Sequence, residues 1–73
     1  PASSMIFIEV ENYQMISGFS IDIRNALGQS VFNSGINQQT LNVSINSWQS
    51  GTYYLNIIND QGAVIEVRHL VID

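Results

Sequence analysis

The stretch SINSWQSGTYYLNI, residues 44–57, places a tryptophan, a glycine and two tyrosines between two segments of alternating apolar and polar residues. Ile45 ends the first segment and Tyr53 begins the second, so the residues between them predict a corner that carries the chain from one sheet to another. We expect Trp48 to close the end of the core and Gly51 to let the backbone turn without a Cβ. The Tyr53 phenol is expected to bond back to upstream backbone and so hold the corner.

Short runs of period two continue on both sides of this corner, and no window of a dozen residues shows a helical period. Asn25 and Gly28 suit a tight connection, because both tolerate a positive φ, and a hairpin turn is expected at 59–62. The pattern predicts an all-β fold, an antiparallel β-sandwich of six to seven strands, in a single domain over residues 1–73. Strands are expected at 5–11, 18–24, around 30–33, and at 40–45, 52–58 and 63–72, the last with a bulge.

Alternation also predicts which side chains face the core. In the first expected strand, the residues that share one face are Ile6, Ile8 and Val10. In the second, the core-facing residues are Phe19, Ile21 and Ile23, and the residues expected to face water are Ser20, Asp22 and Arg24. Further along the chain, the inward residues are Leu41, Val43 and Ile45, and then Tyr53, Leu55 and Ile57.

The composition excludes several classes of function. The formal net charge is −4, lysine is absent, and Arg24 and Arg68 are the only strong cations. Binding to nucleic acid or to anionic lipid is therefore not expected, since both need clustered basic residues. No apolar run is long enough to span a bilayer, and the absence of cysteine excludes a disulfide or a thiolate metal site. The sequence opens without Met or a signal peptide, so we expect it to be part of a longer protein.

Catalysis and cofactor binding find little support in the residues. The lone His69 would need a serine and an acid such as Asp60 in one pocket to form a triad, and no nucleophile-elbow motif is present. The acidic residues lack the spacing of a calcium loop. We therefore expect no enzyme activity, no cofactor and no metal. A sugar platform stays open as an alternative, formed by Tyr54 and Ile58 with Trp48 and Tyr13.

The last residues, His69 to Asp73, which we call the tail, read RHLVID together with Arg68 and are mostly apolar. Chain termini usually fray, so an apolar terminal strand needs an explanation. Either it completes a sheet or it is also presented to a partner by strand addition, and the two roles are compatible. Exposed edge strands also favour dimerisation, so an edge-strand dimer stays open.

The order of these motifs resembles the C-terminal sorting domain, type A, of the type IX secretion system of Bacteroidota. Matches to the family's first motif are Gly28, Gln29 and Val31, and matches to its second motif are Val43, Trp48, Gly51, Tyr53, Leu55 and Ile57. The resemblance covers about residues 5–73. Trp48 stands where the family usually has Leu, His69 stands where it usually has Lys, and Pro1-Ala2 is all that remains of an opening Pro-Asn-Pro.

The resemblance implies an immunoglobulin-like sandwich that follows a cargo domain in the same chain. It implies a secretion signal, by which the cargo crosses the periplasm and is directed through the outer-membrane translocon with its shuttle proteins. A surface sortase usually then removes the domain and attaches the cargo to the cell surface. On this reading the residues that a partner recognises are His69, Leu70, Val71, Ile72 and Asp73, and the residues that hold the fold are Gly28, Trp48, Gly51 and Tyr53. The alternative is an accessory β-sandwich module that binds carbohydrate or supports a neighbouring catalytic domain.

Overall fold

The computed structural model describes residues 5–10 and 18–73. Within these ranges the chain forms six strands: β1 Met5–Glu9, β2 Ser20–Arg24, β3 Ser30–Gly35, β4 Thr40–Ser44, β5 Gly51–Ile58 and β6 Val64–Ile72. All six lie where the alternating pattern predicts a strand, with bounds that differ by one or two residues. The described residues contain no helix long and apolar enough to cross a membrane.

The strands form two antiparallel sheets. β1 pairs with β4, and the other four strands pair in the order β3-β2-β5-β6. The chain therefore passes from the smaller sheet to the larger one between β4 and β5, which is the corner that the sequence predicts. The arrangement is a sandwich, consistent with the expected immunoglobulin-like architecture, and β6 lies at one edge of the larger sheet.

The core lies between the inward faces of the two sheets. Alternation places Ile21 and Ile23 of β2 fully out of solvent, and Leu41 and Val43 of β4 are also buried. The remaining buried apolar residues are Val10, Ile36, Tyr53 and Leu55. On β1, Ile6 lies opposite Val43 and Ile8 opposite Leu41, which confirms that these side chains share the core face.

One predicted solvent exposure is wrong, although the side chain points away from the core as expected. Asp22 was expected in water, but it is only 3% exposed. β2 is a central strand, so the outward face at Asp22 is covered by Asn33 of β3 and Asn56 of β5, which lie directly opposite it. The carboxylate accepts hydrogen bonds from Ser30 Oγ at 2.5 Å, from Asn33 Nδ2 at 3.3 Å and from Arg24 Nε at 2.6 Å. Both oxygens of the buried carboxylate therefore have hydrogen-bond partners, as buried polar groups in folded proteins usually do.

Burial raises the pKa of Asp22, but the hydrogen bonds from Ser30, Asn33 and Arg24, together with the Arg24 charge, outweigh it. The net result is a pKa below the ordinary value of 3.8. The ionised carboxylate is thus the form that the folded state favours.

Two hairpin loops, 25–29 and 59–63, are built by the same hydrogen bonds. In the first, Gly28 N donates to Asn25 O and Asn25 N donates to Gln29 O. The Asn25 carboxamide oxygen also accepts from Leu27 N and Gln29 N, both at 3.0 Å. Asn59 repeats all four bonds in the second loop. Each loop carries a glycine at positive φ, 85° for Gly28 and 86° for Gly62, as expected for a turn that ends in a left-handed residue.

The last strand contains the expected bulge. Ile57 of β5 lies opposite Glu66, whereas Ile58 lies opposite Val64, so Ile65 is the extra residue on β6. A bulge of this kind bends the strand and interrupts regular pairing along its edge.

Candidate functional site

The tail as far as Ile72 forms the second half of β6 and pairs with the start of β5. His69 lies opposite Tyr54, and Ile72 lies opposite Gly51. The inward side chains of Leu70 and Ile72 pack partly against the core. His69 and Val71 point to the other face of the sheet and are exposed. The tail is thus held by the fold on one face and open to a partner on the other.

The two halves of β6 differ in how they protect the sheet edge. The first half carries the bulge at Ile65 and an exposed ion pair between Glu66 and Arg68 on the inward side. Bulges and inward-pointing charges are two devices by which proteins discourage another strand from pairing with an edge. From His69 to Ile72 neither device is present. The tail is therefore the half of β6 whose edge lacks both protecting features.

The outward face of β6 is apolar. Val67 is 51% exposed and Val71 is 67% exposed, both on the side away from the core. Between them, the His69 ring meets the edge of the Tyr54 ring, with centroids 5.1 Å apart and an interplanar angle of 90°. Within β6, the exposed side chains on this face include Val67, His69 and Val71.

The corner before β5 has the predicted construction. Tyr53 Oη donates to Gln49 O at 2.6 Å, and the Trp48 ring stacks on the Tyr53 ring with centroids 4.9 Å apart. Gly51 has a φ of 146°, while no heavy atom lies within 4 Å of the position that a Cβ would take. The glycine therefore serves backbone conformation rather than close packing, and the aromatics hold the corner.

The sugar platform is not assembled in the described residues. Trp48 stacks on Tyr53, which points into the core, whereas Tyr54 lies on the opposite face of β5. Tyr13 lies outside the described residues. The triad is not assembled either, since His69 pairs near the start of β5 and Asp60 lies in the loop beyond its end. Among residues 5–10 and 18–73, no group of three or more acidic or histidine side chains is close enough to hold a metal ion.

The register brings several segments to one end of the sandwich, which we call the corner end. Ile72 lies opposite Gly51, and Arg24 lies opposite Tyr54, so the tail, the corner and loop 25–29 are neighbours. An open groove of about 630 Å³ lies between this loop and the corner. Its lining residues are Asn25, Ala26, Leu27, Gln29, Val31, Ser47, Trp48, Gln49, Ser50, Gly51, Thr52 and Tyr53.

Sequence reasoning missed this groove, because the pairing that creates it joins residues far apart in the chain. It also missed Leu27, which is 83% exposed at the groove's rim. The available signal was a large apolar residue inside a turn otherwise built from amides, a small residue and glycine.

A family model described as "Secretion system C-terminal sorting domain" matches residues 1–73. Comparison with curated proteins gave no match, and comparison with solved structures gave none either.

Proposed function

The chain belongs to the secretion system C-terminal sorting domains, and from this premise we propose that its partners read it along the tail, His69 to Asp73. The domain is the C-terminal sorting signal of type IX secretion, which directs an attached N-terminal cargo across the outer membrane to the cell surface. The family is a targeting signal and not a catalytic one. In this proposal the domain has no catalysis of its own.

The observation that carries the proposal is the unprotected half of β6. A component of the translocon, or its shuttle protein, adds a strand to the edge from His69 to Ile72 and contacts the exposed Val71 on the outward face. Main-chain hydrogen bonds supply affinity in this mode of recognition, and alternate side chains supply specificity. The bulge at Ile65 and the pair Glu66–Arg68 then limit such pairing to the tail.

The same edge is open to a second copy of the chain. An isolated domain at high concentration would pair there as an edge-strand dimer, in competition with the secretion machinery. Sedimentation velocity over a range of concentrations tests this, and a variant with an added charge at Val71 should shift the equilibrium toward monomer.

A surface sortase removes the domain after transport and attaches the cargo to the cell surface. The register bears on where such cleavage would occur, because Met5 at the start of β1 lies opposite Ser44, next to the corner, and Ile72 ends at that same corner. The segment that joins cargo to domain therefore meets the sandwich close to the tail. A sortase working beside the translocon would find its cleavage site there.

The experiment compares two substitutions that add the same charge to the same face of β6. A periplasm-directed fluorescent reporter is fused to the domain in a bacterium with an intact type IX system. Val71→Glu lies in the tail, and Val67→Glu lies outside it as the matched control. We expect Val71→Glu to reduce reporter at the cell surface by about tenfold, the effect of losing a contact worth about 1.4 kcal/mol, and Val67→Glu to leave secretion near that of the parent.

Both valines are more than half exposed, so neither substitution should alter folding, and circular dichroism with urea unfolding checks this. Secretion of both folded variants at the level of the parent would overturn recognition at the tail. Equal loss in both would place the recognised surface on the whole outward face of β6.

A further inference from the structure

Leu27 stands at the tip of a loop that is held rigid. The Asn25 carboxamide oxygen accepts from Leu27 N and Gln29 N, and Arg24 Nη1 donates to Gly28 O at 2.7 Å. The backbone under Leu27 is therefore fixed, while 83% of the residue is exposed. Because the backbone is already fixed, only the rotamers of the side chain are left to be ordered when a partner buries it.

The fold itself does not require a leucine there. Loop 59–63, at the opposite end of the sandwich, has the same four hydrogen bonds involving its asparagine, and the residue that corresponds to Leu27 is Gln61. Gln61 N donates to Asn59 Oδ1 at 2.9 Å, as Leu27 N donates to Asn25 Oδ1 at 3.0 Å. A polar side chain is thus compatible with this loop, and Leu27 contributes little burial to the core.

The groove lining around Leu27 is uncharged and lies beside the tail. None of the twelve residues that line the groove is charged, in a chain whose formal net charge is −4. Gly51 belongs to the groove lining and also lies opposite Ile72 of the tail. Groove and tail therefore meet at Gly51, at the corner end.

We propose that Leu27 is an apolar anchor for the same component of the type IX machinery that reads the tail, so that the corner end acts as one docking surface. This inference rests on the proposed function. The partner surface it fits is an uncharged protein surface with an apolar pocket, bordered by groups that bond to the amides and hydroxyls of the groove. An apolar side chain in a partner pocket with a polar rim is the usual composition of an interface hot spot.

The test exchanges the residues of the two loops in the same reporter. Leu27→Gln removes the anchor, and Gln61→Leu places a leucine on the equivalent loop at the far end. We expect Leu27→Gln to reduce surface reporter by about fivefold to tenfold, and Gln61→Leu to have no effect. The double exchange should be as poor as Leu27→Gln alone, since exposed leucine at the wrong end cannot replace the anchor. Unchanged urea midpoints confirm that the variants fold.

A photo-crosslinking residue placed at position 27, 61 or 71 identifies what lies against each site. The expected result is one machinery component joined to both 27 and 71, and not to 61. A product of twice the domain mass at 27, or no product there, overturns the inference in favour of self-association or an unoccupied surface.

The two proposals fail in different ways. If Leu27→Gln is secreted like the parent while Val71→Glu is not, the tail is read and the anchor is wrong. If Val71→Glu is also secreted like the parent, the proposed reading of the tail has failed and the anchor fails with it.

Discussion

At the scale of single residues, Asp22 shows how a charged side chain becomes part of a sheet's outward face. It lies on the central strand β2 and is flanked by Asn33 and Asn56 from the neighbouring strands. Hydrogen bonds to a charged group are each worth about 1.5–3 kcal/mol. The cluster therefore fastens β3 to β2 on the face that the core does not stabilise.

The lowered pKa of Asp22 predicts acid sensitivity. Because the folded-state pKa lies below the ordinary value of 3.8, this contribution to stability is present above about pH 3.8 and is lost as the pH falls through the folded-state pKa. We expect Asp22→Asn to lower the free energy of unfolding at pH 7 by about 1–3 kcal/mol. The difference in free energy of unfolding between parent and variant should become smaller below pH 4. Urea unfolding of the two proteins from pH 2.5 to 7 measures this difference at each pH.

Asp60→Asn, in an exposed loop, controls for loss of one negative charge. If the difference between parent and Asp22→Asn stays constant down to pH 2.5, the Asp22 carboxylate does not supply the pH-dependent stability.

At the scale of elements, the twin loops 25–29 and 59–63 show that one sequence device serves both hairpins of the larger sheet. An asparagine is the first residue of each loop, and a glycine at positive φ is the fourth. Loop chemistry of this kind sets the register of the strands on either side. It thereby decides which side chains of β2 and β5 enter the core.

Gly28→Ala tests this device. A residue with a Cβ in the left-handed region costs about 1–2 kcal/mol, and Gly28 has a φ of 85° with no atom within 4 Å of the added Cβ. The cost is therefore conformational, and we expect the free energy of unfolding to fall by about that amount. Gly35→Ala in β3, where no positive φ occurs, should cause no loss. Equal destabilisation by both variants in urea unfolding would contradict a conformational origin.

At the scale of the whole molecule, stability rests on a small number of side chains. A 73-residue chain without cysteine has no disulfide. A free energy of unfolding of about 0.05–0.15 kcal/mol per residue gives a total near 4–11 kcal/mol. The buried core places apolar residues of β1, β2, β4 and β5 in contact. The two sheets therefore fold as a cooperative unit, because neither sheet buries its apolar face alone.

Ile21→Ala removes a fully buried side chain from the centre of this core. Such truncations lower the free energy of unfolding by about 2–5 kcal/mol, which is a large share of the total stability of the domain. We expect the urea midpoint to fall by a third or more. Val67→Ala, half exposed on β6, should change stability by less than about 0.5 kcal/mol. A parent-like midpoint for Ile21→Ala would refute the view that the sheets share one core.

Patterns among neighbouring residues predict much of this fold. Period-two alternation is a property of neighbouring residues, and it placed all six strands, the inward faces of β1, β2, β4 and β5, and the bulge of β6. The corner was also predictable, because Trp48, Gly51 and Tyr53 lie within six residues of one another. The same local signals identified the apolar tail.

Only the tertiary structure decided which strands and loops are neighbours. The order β3-β2-β5-β6 puts the tail on an edge, covers Asp22 from both sides and brings Leu27 to the same end as the tail. Each of these facts depends on pairing between residues separated by many positions in the chain. Alternation says which way a side chain points from its strand, but carries no information about which strand lies next to it.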